Sequence, residues 1–171
     1  MGGRIAVEWV AGSSWNQWPD VHGMGGRMTV ESALLALETA MRQGEILGLK
    51  VKDVRLTDRY VRLEMTKNGE SRNVPLTRRA GELLKNLIAE REGEIPIFRL
   101  SSASADAMFR KIRDELRISD LHFHDTRHEA TTRLARKVDV LDLARITGHK
   151  DPRSLMVYYN ATAAEMASRL D

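Results

Sequence analysis

The chain has 171 residues and 42% hydrophobic content, enough for one domain with a real core and too apolar for a disordered polymer. Its 27 basic and 24 acidic residues leave a net charge of +3, a lean toward anionic partners that counts only if the positive charge gathers on one face. Cysteine is absent, which excludes disulfides and thiolate metal sites, and no apolar run is long enough to span a membrane.

Residues 1–28 hold all three tryptophans (Trp9, Trp15, Trp18) and six of the twelve glycines, a density that predicts an irregular or hairpin-like lead-in and not a helix. They carry no signal-peptide pattern. A helix is expected from Thr29 as cap, with Leu34, Leu37 and Met41 on its inward face, Arg42 in its last turn and Gly44 at its end. Tyr60 to Met65 alternates with period two and predicts a strand; Ser71 to Leu76 returns beside it, and Val54 to Leu56 supplies a third. Asn68-Gly69 is a strong hairpin turn signal and puts Lys67 near the tip.

Thr77 or a neighbour opens a helix with Leu83, Leu84, Leu87 and Ile88 as its buried stripe. Pro96 interrupts, Ile97-Phe98 reads as core, and Ser102 or Ser104 leads into a helix carrying Met108, Phe109, Ile112 and Leu116. Asp125 to Arg136 and Val140 to Ile146 read as two more helices, the second stopped by Gly148. Asp151 caps and Pro152 starts the helix bearing Tyr158, and Ala161 to Leu170 closes the chain as a short helix. The sum is α+β, mainly helical with a small antiparallel β-sheet.

Several residues in this series are suited to phosphate chemistry. His124-Asp125-Thr126-Arg127-His128 sets a histidine and an arginine three apart, Thr147-Gly148-His149 adds an imidazole, and Tyr158 follows nine residues later. A guanidinium offers a planar fork of donors that matches phosphate oxygens, an imidazole donates hydrogen bonds or moves protons near neutral pH, and a phenol can act as a covalent nucleophile. Singly, each has an ordinary structural reading: Arg42 as a helix C-terminal cation, Lys67 as a turn lysine, Arg72 as a solvated strand residue, His149 as a helix cap, Tyr158 as a half-buried core residue. Jointly, they must explain five coincidences in order.

The ordered set resembles the catalytic domain of tyrosine recombinases, the phage-integrase family. Thr39-Ala40-Met41-Arg42-Gln43-Gly44-Glu45-Ile46-Leu47-Gly48-Leu49 fits the family's first arginine segment, Thr66-Lys67-Asn68-Gly69 its hairpin lysine, His124, Arg127 and His128 its H-x-x-R-H, and Thr147-Gly148-His149 its L-G-H, with threonine where leucine is common. The match runs from about Thr29 to Tyr159. The resemblance implies the tyrosine-recombinase catalytic-domain fold over 29–171, without the N-terminal DNA-binding domain of the family. It implies that Arg42 and Arg127 clamp the scissile phosphate with His149 bonding a phosphate oxygen. It also implies that His124 assists proton movement or positioning, that Lys67 is the general acid for the departing 5′ oxygen, and that Tyr158 forms a 3′-phosphotyrosyl bond. Neither metal nor other cofactor is implied. The implied partners are double-stranded DNA and, in the full-length protein, three further copies in a homotetramer, with no membrane and a cytoplasmic location in a bacterium or a phage-infected cell.

Tyr159 competes with Tyr158, because helical neighbours point about 100° apart and only one can face the phosphate; the family's spacing favours Tyr158. Glu45, Asp125 and His128 read as supporting residues, with Glu45 tying the Arg42 helix to the next. Three other readings stand beside the recombinase. One is a type IB topoisomerase with a similar cluster, and another is a DNA-binding module with an inactive site. The third is a metal-dependent hydrolase using His122, His124 and His128, for which Asp125 stands where a zinc helix has glutamate and Arg127 would repel a dication.

Overall fold

The computed structural model describes residues 23–64, 71–159 and 162–167. Its centre is helix α1, Gly23–Thr39. Thr29, Glu31 and every residue from Ser32 to Leu37 are buried, as befits a helix enclosed on all sides. It packs against most of the other helices. Gly23 to Met28 are therefore helical and not part of an irregular lead-in, and Thr29 lies inside the helix instead of capping it. Its hydroxyl donates to the Gly25 carbonyl at 2.9 Å, and Arg27 pairs with Glu31 at 3.0 Å one turn on. Glycine costs a helix roughly 1 kcal/mol apiece, and tertiary burial outweighs that here. Residues 1–22, where the rest of the expected lead-in falls, lie outside the described residues.

Helix α1 ends earlier than its apolar pattern suggests. Ala40 takes the left-handed conformation (φ 55°), and Arg42 is extended (φ −74°, ψ 149°) as the residue that opens α2, Gln43–Leu47. Arg42 thus precedes a helix instead of closing one, and Gly44 sits within α2. The reason is local: the Glu45 carboxylate accepts the Arg42 backbone N–H at 2.8 Å and starts a new helix there.

The sheet has three antiparallel strands in sequence order: β1 (Val54–Arg55), β2 (Tyr60–Leu63) and β3 (Arg72–Pro75). Val61 pairs with Val74 and Leu63 with Arg72, so Val61, Leu63 and Val74 turn inward. The Asn68-Gly69 turn and Lys67 lie outside the described residues. Helix α3, Arg78–Ile88, starts as expected, with the Thr77 hydroxyl accepting from Ala80 N at 3.1 Å, and buries Ala80, Leu83, Leu84 and Ile88. Ile97 and Phe98 are core. Helix α4, Ser102–Glu115, takes Ser101 as its cap, one residue before the first of the two expected serines.

Helix α5, Phe123–Ala135, begins two residues before the expected Asp125, which instead accepts the His122 N–H at 2.7 Å. Helix α6, Val140–Thr147, is capped by Asp139 and ends on Gly148 in the left-handed region (φ 72°). Tyr158 ends a 3-10 segment, Pro152–Tyr158, opened by Asp151 and Pro152. A short α7, Ala163–Ala167, follows. The main core lies among α1, α2, α3 and the sheet; a smaller one, built on Ala135, Leu143, Ala144 and Leu155, backs the two tyrosines. Truncating a fully buried side chain of α1 tests this arrangement. Leu35→Ala should cost about 2–5 kcal/mol in urea denaturation, whereas Leu141→Ala, at a 59% exposed position, should cost less than about 0.5 kcal/mol.

Candidate active site

Arg127 is buried (6% exposed) although it carries a charge. It survives there because two backbone carbonyls accept from it: Nη1 donates to Ala40 O and Nη2 to Thr147 O at 2.8 Å. The first acceptor is the residue that breaks α1. The second is one of the last carbonyls of α6, which lack partners within the helix and carry the negative end of its dipole. Burial, with Arg42 nearby, lowers the Arg127 pKa to about 10, still charged at neutral pH.

Two more guanidinium groups converge on the same helix end. Arg72 donates from Nε to Ile146 O at 3.0 Å and bidentately to the Glu45 carboxylate, both bonds at 2.8 Å. It is therefore no solvated strand residue; its side chain is 9% exposed. Arg42 donates from Nη1 to Glu45 Oε1 at 3.1 Å and, more loosely, to Thr147 O at 3.5 Å. Burial alone would push the Glu45 carboxyl up, but the hydrogen bonds from Arg72 and the Arg42 backbone, with both positive charges, hold it below the usual carboxylate range. Three cations against this one carboxylate leave a net positive charge ready to meet an anion.

Gly148 makes that convergence possible. Its φ of 72° suits glycine, and a Cβ there would stand 3.0 Å from Arg72 Nη1. The turn it creates brings His149 back over the helix end, where Nδ1 lies 2.6 Å from the Thr147 hydroxyl. Burial, then the charges of Arg127, Arg42 and Arg72, push the His149 pKa below its ordinary value, so the ring is neutral at pH 7. His124 is exposed and lines, with Met41, Arg42, Phe109, Leu121 and Arg127, a cleft of about 450 Å³.

On the other side of α5, the Tyr158 hydroxyl lies 3.2 Å from each ring nitrogen of His128, with ring centroids 5.3 Å apart. Burial raises the Tyr158 pKa, with Arg127 opposing, so the phenol keeps its proton until something takes it. Tyr159 points elsewhere: its hydroxyl donates to Val138 O at 2.8 Å. The structure thus gathers Arg42, Arg127 and His149 around Thr147, places His124 on the adjoining cleft and sets Tyr158 against His128. Lys67 lies outside the described residues. His122, His124 and His128 form no metal-holding group of three among the described residues. Sequence reasoning missed the inward turn of Arg72, although period two places it on the same face as Val74. It also missed the Thr147 hydroxyl and the pairing of His128 with Tyr158.

This mainly helical domain with a small antiparallel sheet has the fold of a tyrosine-recombinase catalytic domain. The structure is similar to that of the Tn1549 transposon integrase in complex with circular intermediate DNA (TM-score 0.68, 18% identity, covering 98% of this chain and 63% of that one). It is also similar to the catalytic domain of bacteriophage HP1 integrase (TM-score 0.60, 18% identity, 88% and 92%). The profile of the phage integrase family matches residues 27–165, and the chain belongs to that family. Among its relatives are a Haemophilus influenzae protein of the integrase/recombinase class, 47% identical over 144 residues, and the shufflon-specific DNA recombinase of Escherichia coli, 41% identical over 139 residues. These alignments cover 84% and 80% of this chain but only 47% and 36% of those proteins.

Because the folded-state pKa of Glu45 lies below its ordinary 4.5, its ionised form contributes stability that is fully present above that value and lost as pH falls through the lower, folded-state value. Glu45→Gln should therefore be clearly less stable than the parent chain at about pH 7, with the gap narrowing at about pH 3; a gap that does not change with pH in paired urea titrations would refute this.

Proposed function

We propose that this chain is the catalytic domain of a site-specific DNA recombinase or integrase that breaks and rejoins DNA through a 3′-phosphotyrosyl intermediate. The observation that carries the reading is the cluster of Arg42, Arg72 and Arg127 on one helix end, with Tyr158 set against His128, the residue next to Arg127, in a chain of this family.

In this reading the phosphodiester docks against the positive excess, with Arg42 and Arg127 taking its non-bridging oxygens and His149 beside them. Arg72 and Glu45 hold the arrangement. Tyr158 Oη attacks phosphorus, the P–O5′ bond breaks, and the 5′ oxygen leaves with a proton, for which Lys67 is the proposed donor and His124 the proposed assistant. The phenolic proton has an acceptor close at hand in His128. A free 5′ hydroxyl then attacks the phosphotyrosine and restores the diester. One ester replaces another, so the exchange has no need of ATP. Double-stranded DNA is the proposed substrate, and a homotetramer on two duplexes is the proposed state of the whole protein.

A nicked suicide duplex, offered as a pool of candidate sites, tests the chemistry. The parent chain and Tyr159→Phe should give an SDS-resistant protein–DNA adduct, and Tyr158→Phe none; loss only in Tyr159→Phe would move the nucleophile, and no adduct from any form despite DNA binding would favour an inactive binding module. Binding by this domain should also weaken steeply between about 50 and 200 mM salt in fluorescence anisotropy, since phosphate contacts release counterions; salt-independent affinity would contradict a phosphate-directed site.

A further inference from the structure

Thr147 is fully buried, and its hydroxyl sits between two partners. Oγ1 lies 2.6 Å from Leu143 O and 2.6 Å from His149 Nδ1. A threonine hydroxyl has a single proton to give. A carbonyl oxygen cannot donate, and two oxygens come this close only with a hydrogen between them, so the proton of Thr147 points at Leu143. What Oγ1 turns toward His149 is then a lone pair, and Nδ1 must carry the hydrogen. We infer that Thr147 is a positioning residue that fixes His149 in the Nδ1–H tautomer and leaves Nε2 as a bare acceptor.

The consequence rests on the recombinase reading. A neutral His149 in this tautomer cannot donate from Nε2 to a phosphate oxygen. It gains that ability only by taking up a proton, which gives an imidazolium with both nitrogens protonated. Arg42, Arg72 and Arg127 oppose the extra charge while the site is empty. A bound phosphodiester offsets their field, so the proton arrives with the substrate. His149 is then a hydrogen-bond acceptor in the free domain and a charged donor in the complex. The backbone N–H of His149 is itself held by Ala144 O at 3.0 Å, so the helix end places the main chain and Thr147 orients the ring.

The test uses the whole chain labelled with ¹⁵N-histidine, with His149 assigned by its loss in His149→Gln. Long-range ¹H–¹⁵N spectra at about pH 7.5 should show a protonated Nδ1 and a bare Nε2 in the parent chain. A protonated Nε2 there would overturn the inference without any variant being needed. Thr147→Val should move the population toward Nε2–H, and Thr147→Ser should restore the parent pattern; an unchanged tautomer in a folded Thr147→Val chain would also overturn it. On the nicked duplex, Thr147→Val should slow adduct formation about 10- to 100-fold, the usual cost of losing an orienting partner, with Thr147→Ser near the parent rate. If the tautomer shifts while the rate holds, Thr147 has no part in the reaction. If the tautomer behaves as inferred and even the parent chain forms no adduct, the recombinase reading fails while the tautomer assignment stands.

Discussion

The site depends on one constraint: three guanidinium groups must be held close together without an opposite charge for each. The C-terminus of α6 and the Glu45 carboxylate meet that demand together. The helix end offers the carbonyls of Ile146 and Thr147, oxygens the helix cannot satisfy itself, and Glu45 takes Arg72 in a bidentate grip while touching Arg42. Each arginine comes from a different part of the chain: the break after α1, the return strand of the sheet, and the first turns of α5. The cluster therefore ties hairpin, central helix and C-terminal helices to one point, and the small sheet is positioned as much by Arg72 as by its apolar face.

Helix α5 divides the labour between adjacent residues. Arg127 points into the protein and is anchored on both ends by carbonyls, whereas His128, the next residue, faces outward and meets the Tyr158 hydroxyl. The phosphate side and the nucleophile side of the proposed reaction are thus set by a single helix, and their spacing follows from helical geometry. Tyr159 has a structural part: its bond to Val138 O pins the 3-10 segment against the small core and leaves Tyr158 as the tyrosine beside α5.

The order and type of most elements were legible in the sequence, because period two in Tyr60 to Leu63 and helical spacing around Leu83 to Ile88 are direct readouts of burial. Gly148 as a stop and Asp151 and Thr77 as caps follow from local chemistry. The break at Ala40 was not legible, since an alanine with positive φ leaves no mark in composition; it is fixed where Glu45 accepts the Arg42 N–H and opens the next helix. The start of α1 was misjudged for a related reason, as glycines that disfavour an isolated helix are tolerated in one enclosed by the core. In the candidate site the ordered motif named residues that the fold brings near one helix end, Lys67 lying outside those described, but it did not show their bonds. That Arg72 is buried and that His128 lies under a phenol are facts of proximity between segments 74 and 30 residues apart, and that Thr147 has one proton for two neighbours depends on the left-handed turn at Gly148 that folds His149 back.

The surplus of positive charge around Glu45 has a thermodynamic side. Like charges crowded in the folded chain and dispersed in the unfolded one oppose folding, and an anion that settles among them in the folded state alone removes part of that opposition. By mass action its binding free energy adds to the free energy of unfolding. The proposed substrate is thus also a folding ligand, and the empty domain is the least stable form in which this sequence has to persist.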